Sequence, residues 1–88
     1  MRSVMNALGA NGITRVFCEG GGTLAASLLQ ADVVDELIGF SAGVVIGSEG
    51  RSSIGPLGLT RLVSAQRFTL AQTRPIGPDV LHVWNRAL

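Results

Sequence analysis

The chemistry-bearing feature of this sequence is a run of three glycines at residues 20–22, followed by Thr23. The apolar run 16–18 precedes the glycines, and Leu24 and Leu28 follow at helical spacing, so the pattern predicts strand, tight turn and helix. The first N–H groups of a helix lack internal partners and carry the positive end of its dipole. Side-chain-free residues let an anion approach them. The turn therefore predicts a phosphate site, and the alternative is a plain tight turn that packs strand and helix closely.

The first half of the chain supplies the elements that position this turn. Apolar spacing predicts the end of a helix at residues 1–8 with Gly9 and Gly12 as stop signals, a strand at 13–18, a helix at 24–31 with a polar exit at 32–35, and a second buried strand at 36–46. Strand, helix and strand in that order imply a parallel pair joined by a right-handed crossover. The class predicted is α/β.

The second half has a different character. Residues 47–60 are rich in Gly, Ser and Pro and predict a long surface loop. Residues 67–74 and 80–85 predict two strands on either side of a Pro- and Gly-containing turn at 75–79. The chain should therefore end in an antiparallel hairpin.

Length and composition indicate one small domain, residues 1–88, which is more apolar than an isolated small domain usually needs to be. Of the 88 residues, 47% are hydrophobic and 15% charged, which suggests that another subunit or a missing part of the same domain covers some of the surface. The net charge is +1 and the arginines are scattered, so nucleic acid is not an expected partner. Neither a signal peptide nor an apolar run of spanning length is evident, so we expect a cytoplasmic protein without membrane contact.

Metal and thiol chemistry have little support in the sequence. A single cysteine, Cys18, cannot form an internal disulfide, and with a single histidine, His82, it does not make a zinc ligand set. Cys18 lies in an apolar run, where we expect it to behave as a small hydrophobe. The compartment is expected to be reducing, and no metal is expected.

Two nucleotide-binding motifs can be compared with the glycine turn. Residues 20–25 formally satisfy the dinucleotide fingerprint. That motif also needs an acidic residue that binds the ribose, and the only candidate is Glu49, in the predicted loop. A terminal hairpin also fits a doubly wound sheet poorly. The phosphate loop of nucleotide triphosphatases is excluded because the chain has no lysine. A Rossmann module therefore stays a minor alternative.

A more specific resemblance emerges when the neighbouring residues are read together. The motifs are Phe-Cys-Glu-Gly-Gly-Gly-Thr-Leu-Ala at 17–25, Leu-Leu-Gln-Ala at 28–31, Val-Asp-Glu-Leu at 34–37, Val-Ile-Gly at 45–47 and Ile-Gly-Pro-Asp-Val at 76–80. Together they resemble the bacterial pyrimidine reductase of riboflavin biosynthesis, which is often the carboxy-terminal domain of a bifunctional deaminase-reductase. The likeness runs over nearly the whole chain. It covers only the last third to half of the family's reductase domain.

The resemblance implies a dihydrofolate reductase-like fold with a mixed sheet, of which this chain forms the carboxy-terminal portion, and hydride transfer from NADPH. The substrate would be a phosphoribosylaminopyrimidine, 5-amino-6-(5-phosphoribosylamino)uracil, whose sugar is opened to the ribityl form. It implies that the cofactor pyrophosphate is contacted by the backbone groups of Gly20, Gly21, Gly22 and Thr23. Leu24 would lie at the edge of the cofactor, and Glu19 would hydrogen-bond a substrate hydroxyl. For Glu19 the plainer alternative is a solvated strand end.

The departures from the family pattern define what this chain would lack. The family's amino-terminal strands, with a substrate lysine and an aspartate, are absent, as is the zinc-binding deaminase half, and residues 42–44 replace a proline common in relatives. The chain therefore corresponds to the cofactor-phosphate half of a reductase, and we expect a homodimer or a partner that supplies the rest. The rival hypothesis is a non-catalytic nucleotide-binding or dimerising remnant.

Three other groups of polar residues have structural interpretations. Asp35 and Glu36 are adjacent in a predicted strand start and point to opposite faces, so they should not share a proton. His82 and Trp84 should share one face of the last strand in a core or interface role. The remaining pair, Arg51 and Arg61, flanks the long loop; either could reach a phosphate, but solvated side chains are the commoner outcome.

Overall fold

The computed structural model describes residues 1–87. Its elements in chain order are α1 (Arg2–Ala10), α2 (Gly22–Gln30), β1 (Glu36–Ser41), a 3-10 turn (Leu62–Ser64), β2 (Phe68–Ile76) and β3 (Asp79–Arg86). These residues form two compact units, one of Met1–Val33 with Ser52–Thr60, the other of Val34–Arg51 with the chain from Arg61 onwards. Neither helix is long and apolar enough to cross a bilayer.

Both helices of the first unit end in the same hydrogen-bonded motif. After α1, the N–H of Gly12 donates to Gly9 O at 3.0 Å and that of Ile13 to Leu8 O at 3.1 Å. This is the Schellman pattern, whose left-handed residue is Gly12, at φ 84°. The predicted helix is confirmed, but it passes through Gly9 and ends at Ala10, two residues before the left-handed Gly12.

The end of α2 repeats the motif with a non-glycine residue. Asp32 N–H donates to Leu29 O at 3.0 Å, and Val33 N–H donates to Leu28 O at 3.3 Å. Asp32 adopts φ 57°, a conformation that short polar side chains tolerate better than most. The helix buries Ala26 and Leu28, which form the core of the first unit.

The predicted strand at residues 13–18 is not formed. No residue of this stretch belongs to a strand, and the apolar side chains Ile13, Val16 and Phe17 are exposed, Phe17 by 75%. A strand is stable only where its N–H and C=O groups pair with a neighbour, and none of the three described strands pairs with this stretch. The expected parallel strand-helix-strand unit is therefore absent from residues 1–87.

The second unit is a three-stranded antiparallel sheet in the order β1-β3-β2. The predicted hairpin is confirmed: β2 and β3 pair from Phe68 opposite Arg86 to Ile76 opposite Asp79. The central strand, β3, also pairs with β1, which places Phe40 opposite Leu81. Leu81 is the buried apolar residue of the sheet, at 8% exposure.

The hairpin turn consists of two residues, Gly77 and Pro78. Gly77 has φ 57°, whereas the proline ring fixes Pro78 at a negative φ. A type I′ turn needs positive φ at both positions, so the pair fits type II′, the form with glycine first. A β-bulge between Leu70 and Gln72 interrupts the ladder of β2, a feature that the apolar pattern did not indicate.

The predicted second strand at 36–46 is shorter in the structure. It ends at Ser41, and the apolar residues beyond it are exposed, Val45 by 99%. Residues 42–46 have no strand partner among the described residues, so their apolar character does not make them a strand. The Gly- and Ser-rich stretch 47–60 is irregular, as predicted.

The two glycines at the end of α1 provide a matched test of this fold. Gly12→Ala should destabilise the protein by about 1–2 kcal/mol, because alanine is strained at positive φ. Gly9→Ala, in the helix interior with no atom within 4 Å of the added methyl, should stabilise it by roughly 1 kcal/mol. Urea unfolding followed by circular dichroism measures both. Equal effects of the two substitutions would contradict the assigned end of α1.

Candidate functional site

The glycine turn forms the start of α2, within the first unit. Gly21 is the N-cap residue, with φ −71° and ψ −179°, and no side chain caps the helix. The first hydrogen bond of the helix runs from Ala25 N–H to Gly21 O at 3.0 Å. The amides of residues 22–24 precede that bond, and the first turn contains no acidic residue to repel an anion.

The three glycines have different surroundings. A methyl group on Gly20 would lie 2.5 Å from Cδ2 of Leu24, whose side chain covers that residue. A methyl group on Gly22 would lie 2.6 Å from the carbonyl oxygen of Ser52. A methyl group on Gly21 would meet no atom within 4 Å. Backbone packing therefore explains the third glycine, and at the first the obstruction is the movable end of the Leu24 side chain. The middle glycine faces open space at a backbone conformation that any residue adopts.

The residues just before the turn are exposed. Glu19 is exposed, which agrees both with a contact to a substrate and with the alternative of a solvated side chain. Cys18 was expected to be a buried hydrophobe and is instead exposed, because the stretch that contains it has no strand partner. Its Sγ accepts a hydrogen bond from Gly20 N–H at 3.5 Å, so the Gly20 amide already has an acceptor.

Residues 52–55 were not singled out by the sequence pattern, yet they contact the glycine turn. Gly55 N–H donates to Gly22 O at 2.9 Å. Ser52 O and the Ser53 carbonyl lie against the position where a side chain on residue 22 would be. The glycine at position 55, inside an otherwise irregular Ser- and Gly-rich loop, is the only sequence signal that could have pointed to this contact.

A second polar cluster joins β1 and β3 in the other unit. Trp84 Nε1–H donates to His82 Nδ1 at 3.1 Å, and His82 Nε2 lies 3.2 Å from Ser41 Oγ. Gly39 is paired with His82, and a side chain there would collide with the imidazole ring. His82 and Trp84 thus share one face, as predicted, and both are half-buried.

The hydrogen bonds of this cluster determine what His82 can do. Because Trp84 donates to Nδ1, that nitrogen is the acceptor and the proton of the neutral ring is on Nε2. Nε2–H then donates to Ser41 Oγ. A histidine that activates a serine must accept from its hydroxyl, so the arrangement is a structural link between strands and not a nucleophile with its base.

The other charged candidates occupy peripheral positions. The carboxylate of Asp35 is 95% exposed, and its Oδ1 lies 3.7 Å from Arg86 Nε, which also donates to Val34 O at 3.1 Å. Glu36 is exposed at the start of β1, and Arg51 and Arg61 are exposed on either side of the irregular loop. Across residues 1–87, no three His, Cys, Asp or Glu side chains converge to hold a metal ion.

Residues 1–87 thus contain two helices, one of which begins at an uncapped glycine turn, and a three-stranded antiparallel sheet, so the chain is of the α/β class. The family model of the RibD C-terminal domain matches residues 1–82. The chain is 42% identical over 81 residues to riboflavin biosynthesis protein RibD of Escherichia coli, covering 91% of this chain and 22% of the relative. It is 30% identical over 78 residues to 5-amino-6-(5-phosphoribosylamino)uracil reductase of Buchnera aphidicola, covering 89% of this chain and 38% of the relative.

A solved structure shows that the fold is shared. RibD of Acinetobacter baumannii, form 2, superimposes with a TM-score of 0.88 at 22% identity, covering 99% of this chain and 25% of that chain. The chain therefore belongs to the RibD C-terminal domain family. It spans about a fifth of the length of RibD from Escherichia coli.

The hydrogen bond between Trp84 and His82 can be tested because the chain has one residue of each type. Nitrogen NMR of neutral His82 should show the proton on Nε2. In His82→Phe, which retains a ring but no acceptor, hydrogen exchange of the Trp84 indole N–H should accelerate roughly fivefold, since a net hydrogen bond contributes ~1 kcal/mol. Ser41→Ala is the control and should leave this exchange unchanged. A proton on Nδ1 in the wild type would refute the assignment.

Proposed function

We propose that this chain forms the cofactor-phosphate half of an NADPH-dependent reductase that acts on 5-amino-6-(5-phosphoribosylamino)uracil in riboflavin biosynthesis. Membership of the RibD C-terminal domain family supports the pathway, and the name of the Buchnera aphidicola relative supports the reaction. The observation that carries the proposal is the open position at Gly21, where packing gives no reason for glycine. Close approach of a ligand to the backbone is such a reason.

The proposed cofactor contacts follow from the geometry of the turn. The amides of Gly22, Thr23 and Leu24 precede the first helical hydrogen bond, and in this proposal they donate to the pyrophosphate. Gly21 leaves the space through which the phosphates approach. Gly20 contributes mainly room for Leu24, which lies at the cofactor edge, since its own N–H is directed to Cys18 Sγ.

The chemistry of the reaction would come from the cofactor, and the protein would orient the reactants. NADPH supplies the hydride that converts the ribosylamino group to the ribitylamino form. Glu19 immediately precedes the turn and is exposed, so its carboxylate can accept a hydrogen bond from a substrate hydroxyl next to the bound cofactor. The proposed fold of the complete domain is dihydrofolate reductase-like, with this chain as its carboxy-terminal portion.

The substrate lysine that the family resemblance implies must come from outside these 88 residues, because the chain contains no lysine. We propose that a partner polypeptide supplies that contact, whereas a second copy of the chain, which also lacks lysine, would supply only other parts of the missing half. Large apolar side chains such as Phe17, Phe40 and Leu62 are 75%, 63% and 78% exposed, which provides surface for such an association.

The same exposure favours a second candidate function, a non-catalytic dimerising remnant of the reductase. Burial of exposed apolar side chains favours association whether or not a nucleotide binds. The unpaired edge of β1 provides further hydrogen-bonding groups for it. The two candidates differ in nucleotide binding, which the next experiment measures.

Titration of the purified chain with NADPH, NADP and NAD, with its native mass recorded at each step, should show binding of a nicotinamide nucleotide. Gly21→Val should weaken that binding about tenfold or more, equivalent to ~1.4 kcal/mol, because the side chain blocks approach to the amides. Gly43→Val is the matched control, since Gly43 also has no atom within 4 Å of an added Cβ.

The possible results separate the two candidates. Unchanged affinity in Gly21→Val would exclude the glycine turn as the phosphate site. A chain that dimerises but binds no nicotinamide nucleotide at millimolar concentration would support the dimerising remnant and overturn the reductase proposal.

A further inference from the structure

The ring of His82 lies over the neighbouring strand, in a position that Gly39 makes possible. The two residues are directly opposite each other in the β1–β3 ladder. A methyl group on Gly39 would lie 2.3 Å from Cε1 and 2.9 Å from Nδ1 of the imidazole. The ring therefore needs the space above a residue without a side chain. From that position its Nδ1 contacts Trp84 and its Nε2 contacts Ser41.

The contact between His82 and Trp84 suits the neutral imidazole. The indole presents its edge, since the ring centroids are 6.4 Å apart, the planes are inclined at 69°, and Nε1–H donates to Nδ1 at 3.1 Å. The edge of an aromatic ring is the positive part of its quadrupole. In the imidazolium form both ring nitrogens carry a hydrogen. Two N–H groups would then face each other, so the bond from Trp84 is lost when His82 is protonated.

Protonation leaves the other hydrogen bond of the ring in place. Nε2 carries a hydrogen in the neutral tautomer and keeps it in the cation, so donation to Ser41 Oγ is possible in both forms. A cation is attracted by the face of an indole within about 6 Å of the ring centroid. The charged form is therefore satisfied if the Trp84 side chain rotates from edge-on to face-on while Ser41 holds His82.

The strands that pack against β3 bring no charged side chain to the face of His82. In the part of the chain that the structure describes, those strands are β1 and β2. The residues next to the ring on this face are Leu37, Gly39 and Ser41 of β1 and Thr73 and Pro75 of β2. The charged residues of the sheet on the opposite face are Glu36, Arg74 and Asp79.

On β3 itself, Arg86 is the charged residue that shares the face of His82. Its guanidinium donates to Val34 O at 3.1 Å and lies 3.7 Å from the carboxylate of Asp35. The contacts of Trp84 and Ser41 are therefore the direct partners of the imidazole, and a change of its charge acts first on them.

We propose that His82 and Trp84 form a pH-sensitive switch in the sheet, in which protonation of His82 releases the indole N–H and turns the Trp84 ring face-on to the imidazolium. Histidine is the side chain whose charge ordinarily changes between about pH 5 and 8, so the switch acts in this range. Both residues are half-buried and remain accessible to water. The inference does not depend on the proposed function, because the glycine turn belongs to the other unit.

The test follows the single histidine and the single tryptophan through a titration from about pH 8 to about pH 5. NMR records the imidazole nitrogens of His82 and the exchange of the Trp84 indole N–H. Each exchange rate is compared with that of His82→Phe at the same pH, which cancels the intrinsic pH dependence of exchange. We expect the wild type to exchange roughly fivefold more slowly than the variant at the alkaline end, the equivalent of one hydrogen bond, and at the same rate at the acid end.

Two further variants separate the switch from other effects of pH. His82→Asn offers a carbonyl oxygen as acceptor near the position of Nδ1 and does not titrate, so its indole N–H should show no loss of protection on acidification. Ser41→Ala removes only the bond at Nε2, so the pH dependence should persist in it.

Four outcomes decide the inference. Loss of indole protection that follows the titration of His82, with unchanged backbone amide exchange in β2 and β3, supports it. Protection that persists when His82 is charged overturns it. An equal loss of protection in His82→Asn places the cause outside His82 and also overturns it. Accelerated exchange throughout β2 and β3 at the acid end shows general unfolding of the sheet, which overturns the switch as well.

Discussion

The start of α2 depends on the absence of a side chain at residue 22, because the backbone of Ser52 and Ser53 occupies that space. The contact joins two stretches of backbone far apart in the chain, and Gly55 adds a hydrogen bond across it. Backbone groups packed this closely leave little freedom for the first turn of the helix. The amides that follow Gly21 are therefore held in place by the fold, and under the proposed function this order would lower the entropic cost of binding an anion.

Local chemistry allowed some elements to be predicted. The hairpin was predictable because Gly77 and Pro78 favour a two-residue turn, and α2 was predictable because Leu24 and Leu28 follow glycines at helical spacing. The bulge near Leu70 depends on the alignment of two strands, which no short window of sequence encodes. The contact of residues 52–55 with Gly22 was likewise missed, since it involves backbone atoms that any residue type provides.

The incorrect strand predictions share one physical cause. Residues 13–18 and 42–46 are apolar, but apolar character gives burial only if a neighbouring strand or helix is available. In the structure both stretches are unpaired and exposed.

The glycine turn and the His82 cluster lead to different conclusions even though both are polar features on ordered elements. The family match covers residues 1–82, which includes the turn and residues 52–55 but not Trp84, the residue that fixes the His82 tautomer. Both imidazole nitrogens are engaged within the sheet, by Trp84 and by Ser41, so the ring has no free nitrogen to offer a substrate. At Gly21 the reverse holds, since the turn has space, backbone donors and no capping side chain. A group whose hydrogen-bonding capacity is already used stabilises a fold, whereas donors held beside open space can bind a ligand. By this criterion we place the proposed site at the start of α2 and not at His82.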